Sequence, residues 1–362
     1  MAAIPTTGRA VDHPDYKNKN QDILNFIEKF KNNNNIRNPL KFGGSEFASI
    51  IGVDPYRTID ETIQNKVNRR YVFSIAAAWG DLTEDYLRTY LQNFWGTEIH
   101  ELPMSVPSQY PSFCYSGDGG GVLISPGNGE LFRVLFEFKN PLQRVPKDGI
   151  VPAHYIPQPM SGLANSNIGD VFDCAVFVDA LFRACSYRQF DFNLEHNQNV
   201  HAFPKLPADA AVVDMGFIAL YRDPARCTQE IDTAISDLRE LAYSTEPIID
   251  LGAEPKIILE GFLRLCNKNK PYERLHFYNG PFVQHTLNVL KQGYSLAGEI
   301  EKFKTFCAER EYSPVAIIPL KLFKIVVVPM GKDPAYIDKY IKYLDSATEK
   351  LRLAFAERDE KK

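Results

Sequence analysis

The chain is predicted to fold as an α/β protein, with a central mixed β-sheet flanked by helices and a mainly helical insertion before the last strand. Three stretches carry this expectation. LFRVLFEFK, residues 131–139, alternates as a strand, with Phe132, Val134, Phe136 and Phe138 on one face and Arg133, Leu135, Glu137 and Lys139 on the other. AAAWGDLTEDYLRTYLQNF repeats its apolar residues at helical spacing. After a mostly helical stretch over 225–312, VAIIPLKLFKIVVVPM returns to strand character. The expected division is a disordered or loosely attached 1–20, a core over 21–224, the insertion 225–312, and a final core strand and helix over 313–362.

At 362 residues the chain can bury a sizeable core, as one large domain or one domain with an insertion. Its 44% hydrophobic and 24% charged residues are those of an ordinary soluble protein. No apolar run is long enough to span a bilayer and the N-terminus lacks a signal peptide's apolar core, so no membrane partner and an intracellular location are expected. The six cysteines (114, 174, 185, 227, 266 and 307) are dispersed without CxxC or His pairing, which excludes a sequence-evident zinc or iron–sulfur site and reads as reduced thiols. A net charge of −4 argues against coating nucleic acid by overall charge, while leaving room for a locally basic groove around an acidic site.

In chain order, Ile23, Phe26, Ile27 and Phe30 predict a short amphipathic helix over 22–31. Gly43-Gly44-Ser45 predicts a helix start with Ser45 near the N-cap and Phe47, Ile50 and Ile51 packing inward, with Arg37 and Lys41 just upstream. Thr58 and Glu61 form a capping-box pattern before a helix with Ile59, Ile63 and Val67 on one face. In the next helix Trp79, Leu82, Tyr86, Tyr90 and Phe94 make the apolar stripe. Glu84 lies on its flank, and Asp81, Asp85 and Arg88 are assigned to the wet side. Pro157 and Pro159 bracket Gln158, so a helix there starts near these positions or is kinked. VFDCAVFV and ALFRACSYRQFDF read as two consecutive strands, and AAVVDMGFIALY as another. TQEIDTAISDLRELAY and FVQHTLNVLKQGYSLAGEIEKFKTF read as helices, and Asp333-Pro334 as the opening of a final amphipathic helix.

The stretch with most chemical content is FCYSGDGGGVLISPGNGELFRVLFEFK. Asp118 stands at a strand end beside three glycines, and the following strand ends in Glu137 and Lys139 on one face. Two carboxylates suit a hard divalent cation, and a nearby ammonium can orient water or offset developing negative charge. Strand alternation alone would also produce an E-x-K pair on a hairpin facing water, so the motif gains weight only from its company.

That company resembles the lambda-type exonuclease family, the YqaJ-like viral recombinases of the PD-(D/E)xK nuclease superfamily. The matching pieces, in order over roughly residues 37–160, are GGSEFASIIGVDPY, WGDLTED, SGDGGG, FEFK and HYIPQPM, and the first resembles versions in large DNA viruses and phages. The resemblance implies a restriction-endonuclease-like core and Mg²⁺ as cofactor, with Mn²⁺ able to substitute. It implies Asp118 and Glu137 as metal ligands with the main-chain carbonyl of Phe138, Glu84 binding through water or a second metal, Lys139 positioning the attacking water, and Gln158 of the Y-x-x-Q motif supporting it. Ser45, Ser116 and a basic residue, Arg37 or Lys41, with Arg144 nearby, would receive a DNA 5′-phosphate.

The implied activity is 5′→3′ digestion of linear double-stranded DNA, leaving 3′ single strands for recombination or repair. Implied partners are duplex DNA ends, a single-strand annealing protein and further copies of the chain, a trimer in some relatives. For a viral protein the compartment would be host cytoplasm or nucleus. The sequence departs from the family at the residue after Gln158, where Pro159 is expected to disturb the helix that carries the usual Gln pair. An endonuclease or flap nuclease on the same fold, and a non-catalytic DNA-binding protein, remain alternatives at this stage.

Overall fold

The computed structural model describes residues 9–32, 39–68, 74–125, 127–184, 215–222, 236, 282–287 and 296–360. Among them, seven strands form one sheet in the order β2 (Ile99–His100), β4 (Gly119–Ile124), β5 (Leu131–Lys139), β6 (Cys174–Ala184), β9 (Ser313–Met330), β7 (Met215–Arg222) and β8 (Phe282–Leu287). A separate parallel pair joins β1 (Phe42–Gly43) to β3 (Phe113–Cys114). In the main sheet β5 and β6 are parallel and the other pairings antiparallel, so the sheet is mixed as expected.

A parallel neighbour requires a crossover. Here it contains α5 (Pro157–Ala164) and the short α6 (Ser166–Gly169), and α5 packs on β5 and β6. On the opposite face lies α4 (Ile75–Trp95). Its start is capped by the Ser74 hydroxyl and it ends at Gly96, whose φ of 55° gives the left-handed turn that stops a helix. The α4 stripe of Trp79, Leu82, Tyr86 and Tyr90 packs with Val134, Phe136 and Phe138 of β5 and Val176, Val178, Ala180 and Phe182 of β6. The residues between these point the other way, and Leu135 and Ala175 join a second core with α1 (Tyr16–Phe30), α2 (Phe47–Ile50), α3 (Ile59–Val67), α5 and the C-terminal helix. Both faces of the sheet at β5 and β6 are therefore covered, each buried Leu or Phe contributing roughly 1.5–3 kcal/mol. A charged residue on the β5 face toward α5 is thus enclosed.

Several expectations are corrected. Residues 9–20 are not loosely attached: Ala10 and Tyr16 are buried, Val11 donates to the Gly96 carbonyl, and α1 begins at Tyr16. Ser45 caps no helix, because 44–46 form a 3₁₀ turn and the Glu46 carboxylate accepts from the Gly43 N–H. The two consecutive strands expected from VFDCAVFV onward are one: Cys174–Ala184 runs unbroken as β6, whose long pairing with β9 carries it through Ala180. Residues 282–287 are a strand, not the start of a helix, and pair with β7. A short run of aromatic and β-branched residues fits either state until a partner strand decides it.

A helix does follow, α7 (Leu296–Ala308). The final helix, α8 (Ile341–Glu360), begins beyond Asp333-Pro334, which make a turn instead. The helix expected over TQEIDTAISDLRELAY lies almost wholly outside the described residues, as do residues 1–8 and Arg37. The Thr58–Glu61 capping box is formed, with both reciprocal bonds present. Among the described residues no helix is long and apolar enough to cross a membrane, and Cys114, Cys174 and Cys307 are free thiols.

Candidate active site

The register of β4 and β5 sets the centre. Gly119 lies opposite Phe136, so the residue before it, Asp118, arrives beside Glu137. There the ladder changes character: the Phe138 N–H donates to Asp118 Oδ2 at 2.7 Å, a carboxylate taking the place of a strand carbonyl. In an extended strand the N–H and C=O of one residue point the same way, so the Phe138 carbonyl also faces the Asp118 side. On β6, Asp179 pairs in register with Lys139 and Phe177 with Glu137.

Glu137 is fully buried. Its Oε1 accepts from the Lys139 ammonium and its Oε2 from the Tyr115 hydroxyl at 3.0 Å. Burial pushes its pKa up and the Asp118 charge adds to this. Lys139 and Tyr115 oppose, and the result is a carboxyl raised to about 8. For Lys139 burial acts downward, but Glu137 and Asp118 outweigh it and hold the ammonium charged. Tyr115 is pushed well above an ordinary phenol by burial and then by Glu137 and Asp118. Its ring is clamped between two glycines: a Cβ on Gly44 would lie 2.3 Å from Tyr115 Cδ2, and one on Gly162 2.5 Å from Cζ. Only glycine allows that approach, and it fixes the hydroxyl against Glu137.

Glu84 projects from α4 and pairs with Arg88 at 2.9 Å; the same Arg88 nitrogen donates to the Asp118 main-chain carbonyl at 3.0 Å. Arg88 also bonds Asp85 at 2.6 Å. Arg88 and Asp85 are therefore not on a wet side, with side chains only 14% and 20% exposed. That face of α4 turns toward the Asp118 end of the sheet, and burial raises the Asp85 carboxyl.

Beside Lys139, Asp179 is buried in the apolar run of β6 and grips Arg144 with two bonds, at 2.6 and 2.9 Å. Burial raises the Asp179 pKa against the pull of Arg144 and then Lys139. Both cations lie over the Tyr155 ring, 5.5 Å from Lys139 Nζ and 5.7 Å from Arg144 Cζ. Gln158 occupies the second position of α5, directly after Pro157. Pro159 does not disturb this helix, since first-turn residues need no intrahelical N–H partner.

The donor set suits a hard cation in part. Half-buried Asp118 meets buried Glu137, whose carboxyl is raised by burial and then by the Asp118 charge, a cost that a divalent ion would offset. Asp118, Glu137 and the Phe138 carbonyl are the groups that would hold it. Among the described residues no cluster of three or more His, Cys, Asp or Glu side chains is gathered for a metal, and Glu84 stands engaged with Arg88.

Among the described residues, those expected to cradle a phosphate have different surroundings. Arg37 lies outside the described residues. Lys41 lines a separate surface cavity of about 560 Å³ with Tyr110, Leu344, Thr348 and Arg352. Ser45 is exposed, Ser116 donates to the Leu102 carbonyl at 2.8 Å, and Arg144 is committed to Asp179.

Sequence reasoning missed Tyr115, Arg88 and Asp179. Asp179 did leave a signal, a lone acid inside CAVFVDALF, where a charge is buried only with a partner. The other two depend on a ring clamp and a helix rotation that spacing does not reveal.

No family model matches the chain. "Protein D345L" of African swine fever virus (isolate Tick/Malawi/Lil 20-1/1983) is 30% identical over 181 residues, 44% of this chain and 51% of the relative. Its counterparts from isolate Tick/South Africa/Pretoriuskop Pr4/1996 and from strain Badajoz 1971 Vero-adapted are 29% identical over the same length. The chain spans about half the length of the curated relatives it matches. A solved alkaline exonuclease (LHK-Exo) from Laribacter hongkongensis overlaps 44% of this chain and 74% of its own with 16% identity and a TM-score of 0.28. A TM-score of that size establishes neither a shared fold nor a shared activity.

Proposed function

We propose that this chain is a divalent-metal-dependent deoxyribonuclease that digests linear duplex DNA from a 5′ end and leaves a 3′ single strand. The observation that carries the reading is the meeting of Asp118 and buried Glu137 across β4 and β5, with the Lys139 ammonium on the same face. Polarity and preference for a free end rest on the ordered sequence motifs alone.

A Mg²⁺ or Mn²⁺ ion held by Asp118, Glu137 and the Phe138 carbonyl would polarise a phosphoryl oxygen and lower the pKa of an attacking water. Glu137 and Asp118 keep Lys139 charged, so Lys139 acts as a donor, orienting water and offsetting charge on the phosphorane, and not as the proton acceptor. Tyr115 fixes the Glu137 carboxylate for this task. Arg88 ties Glu84 Oε1 to the backbone of Asp118, and a second ion or a bridging water at Glu84 would share the carboxylate with that pair. Backbone contacts carry no base information, so the activity is sequence-indifferent. Its product calls for a single-strand annealing partner, and the chain would work as a homo-oligomer inside the host cell.

The test is digestion of linear duplex, 5′-phosphorylated on one strand, with Mg²⁺ and with EDTA, beside a covalently closed circle. Loss of the phosphorylated strand alone with the circle intact is the expected outcome. Cutting of the circle would replace the exonuclease reading with an endonuclease. No hydrolysis by folded protein in Mg²⁺ or Mn²⁺ would leave a DNA-binding protein.

A further inference from the structure

Beside the acidic centre four rings run in series to the surface. Phe177, the register partner of Glu137, stacks at 5.9 Å on Tyr155, whose ring lies 4.1 Å from that of His154. His154 in turn meets Tyr56 edge to face at 5.4 Å. At the far end Tyr56 is 73% exposed. A single exposed aromatic is ordinary and needs no explanation. Two things set this one apart. Its loop is pinned: Val53 and Asp54 both donate to the Ala48 carbonyl, and the Tyr56 N–H donates to Asp54 Oδ1 at 2.8 Å. The series also passes through the Tyr155 ring over which Lys139 and Arg144 lie.

An open aromatic face fixed in place, continuous with paired cations, has both parts of a sequence-tolerant single-strand site. The cations can engage the backbone once DNA displaces their carboxylate partners, and the ring accepts any base, since every base has a π-face. Each step from Lys139 to Tyr56 is 5.5 Å or less, which puts the platform within a few nucleotides of the phosphate at Glu137.

We propose that Tyr56 is the stacking platform for a nucleobase of the strand being cut, a few nucleotides from the scissile phosphate, with His154 and Tyr155 as its support. This rests on the nuclease reading, and the experiment separates the two. Full-length protein in EDTA is titrated with short DNA strands carrying 2-aminopurine at successive positions, while hydrolysis of linear duplex in Mg²⁺ is followed separately. Quenching at one position is expected. Tyr56→Ala should abolish that quench and weaken binding by roughly fivefold to a hundredfold, and Tyr56→Phe and Tyr56→Trp should restore both. An abasic site at the quenched position should cost as much as Tyr56→Ala, and the two losses should not add.

Unchanged binding and quenching in Tyr56→Ala, or fully additive losses, would overturn the platform while wild-type hydrolysis left the nuclease standing. Tyr56-dependent stacking without hydrolysis by the wild type would sink the nuclease reading and keep the platform. Absence of DNA binding by the wild-type chain would remove both.

Discussion

The acidic centre at the end of β5 and the basic residues around it are held in different ways. Asp118 and Glu137 are placed by backbone register, and neither can move without breaking the ladder that also carries the core. The cations are placed by side-chain pairs: Lys139 on Glu137, Arg144 on Asp179, Arg88 on Glu84 and Asp85. Carboxylates outnumber cations here, and each cation is already neutralised. On the proposed reading the resting centre would receive positive charge at a fixed point, whereas a polyanion would first have to compete for the cations. A metal should bind tightly to a rigid site, and DNA should engage only with rearrangement of the pairs.

The largest effects should come from the rigid half. Asp118→Asn is expected to lower Mg²⁺-started hydrolysis by on the order of 10²–10³-fold or more. Circular dichroism should show the fold retained, because the half-buried Asp118 is not part of the enclosed core and asparagine keeps an oxygen for the Phe138 N–H. Hydrolysis within a factor of a few of wild type in Asp118→Asn would remove this centre from the chemistry.

The paired half should show itself in stability. Arg144→Ala leaves Asp179 charged and enclosed, which costs toward the lower end of roughly 3–5 kcal/mol because Arg144 is itself partly exposed. Urea denaturation should recover much of that loss in the double variant Arg144→Ala/Asp179→Ala, where no charge is stranded. Equal destabilisation of the single and double variants would mean the pair does not hold Arg144.

The same contrast explains what could be read in advance. β5 was legible to the residue, because an alternating run states its own faces and ends where the apolar residues end. The α4 stripe was legible for the same reason, but not the side on which Arg88 would be covered, since spacing gives relative angles and no absolute rotation. Register between β4 and β5 was not legible, and it is what makes Asp118 a neighbour of Glu137. Nor was Tyr115, whose position depends on Gly44 and Gly162 meeting around one ring from distant parts of the chain. Among the described residues, those expected to receive a phosphate lie on turns and loops with no repeat to constrain them. Of that set, Ser45 is exposed, Ser116 bonds a carbonyl and Arg144 bonds Asp179.

Tyr115 tests whether the rigid half is as rigid as its register suggests. Tyr115→Phe keeps the ring between the glycines and removes one bond to a charged carboxylate, worth roughly 1.5–3 kcal/mol. The expected result is about a tenfold or greater rise in the Mg²⁺ concentration giving half-maximal rate, with KM for DNA unchanged. A rise in KM for DNA with no change in metal dependence would show that Tyr115 faces substrate instead.

The smallest effect sharpens the charge argument, and it is read without DNA. In metal-free protein the Glu137 carboxyl is raised to about 8 by burial and by Asp118, above its ordinary value near 4.5. Folding then favours the protonated acid, so this group's contribution to stability is complete below about 4.5 and declines as pH rises toward 8. In EDTA the melting temperature of wild type relative to Glu137→Gln should fall across that window, by an amount of the order of a few degrees. Comparison with the glutamine variant removes the background from Asp85, Asp179, His100 and His154, which are shifted in both proteins. Mg²⁺ binds the ionised carboxylate, so its stabilising effect should grow as pH rises over the same range. Parallel melting curves for the two proteins would mean that Lys139 alone already neutralises Glu137, and that the centre has no charge deficit for a cation to fill.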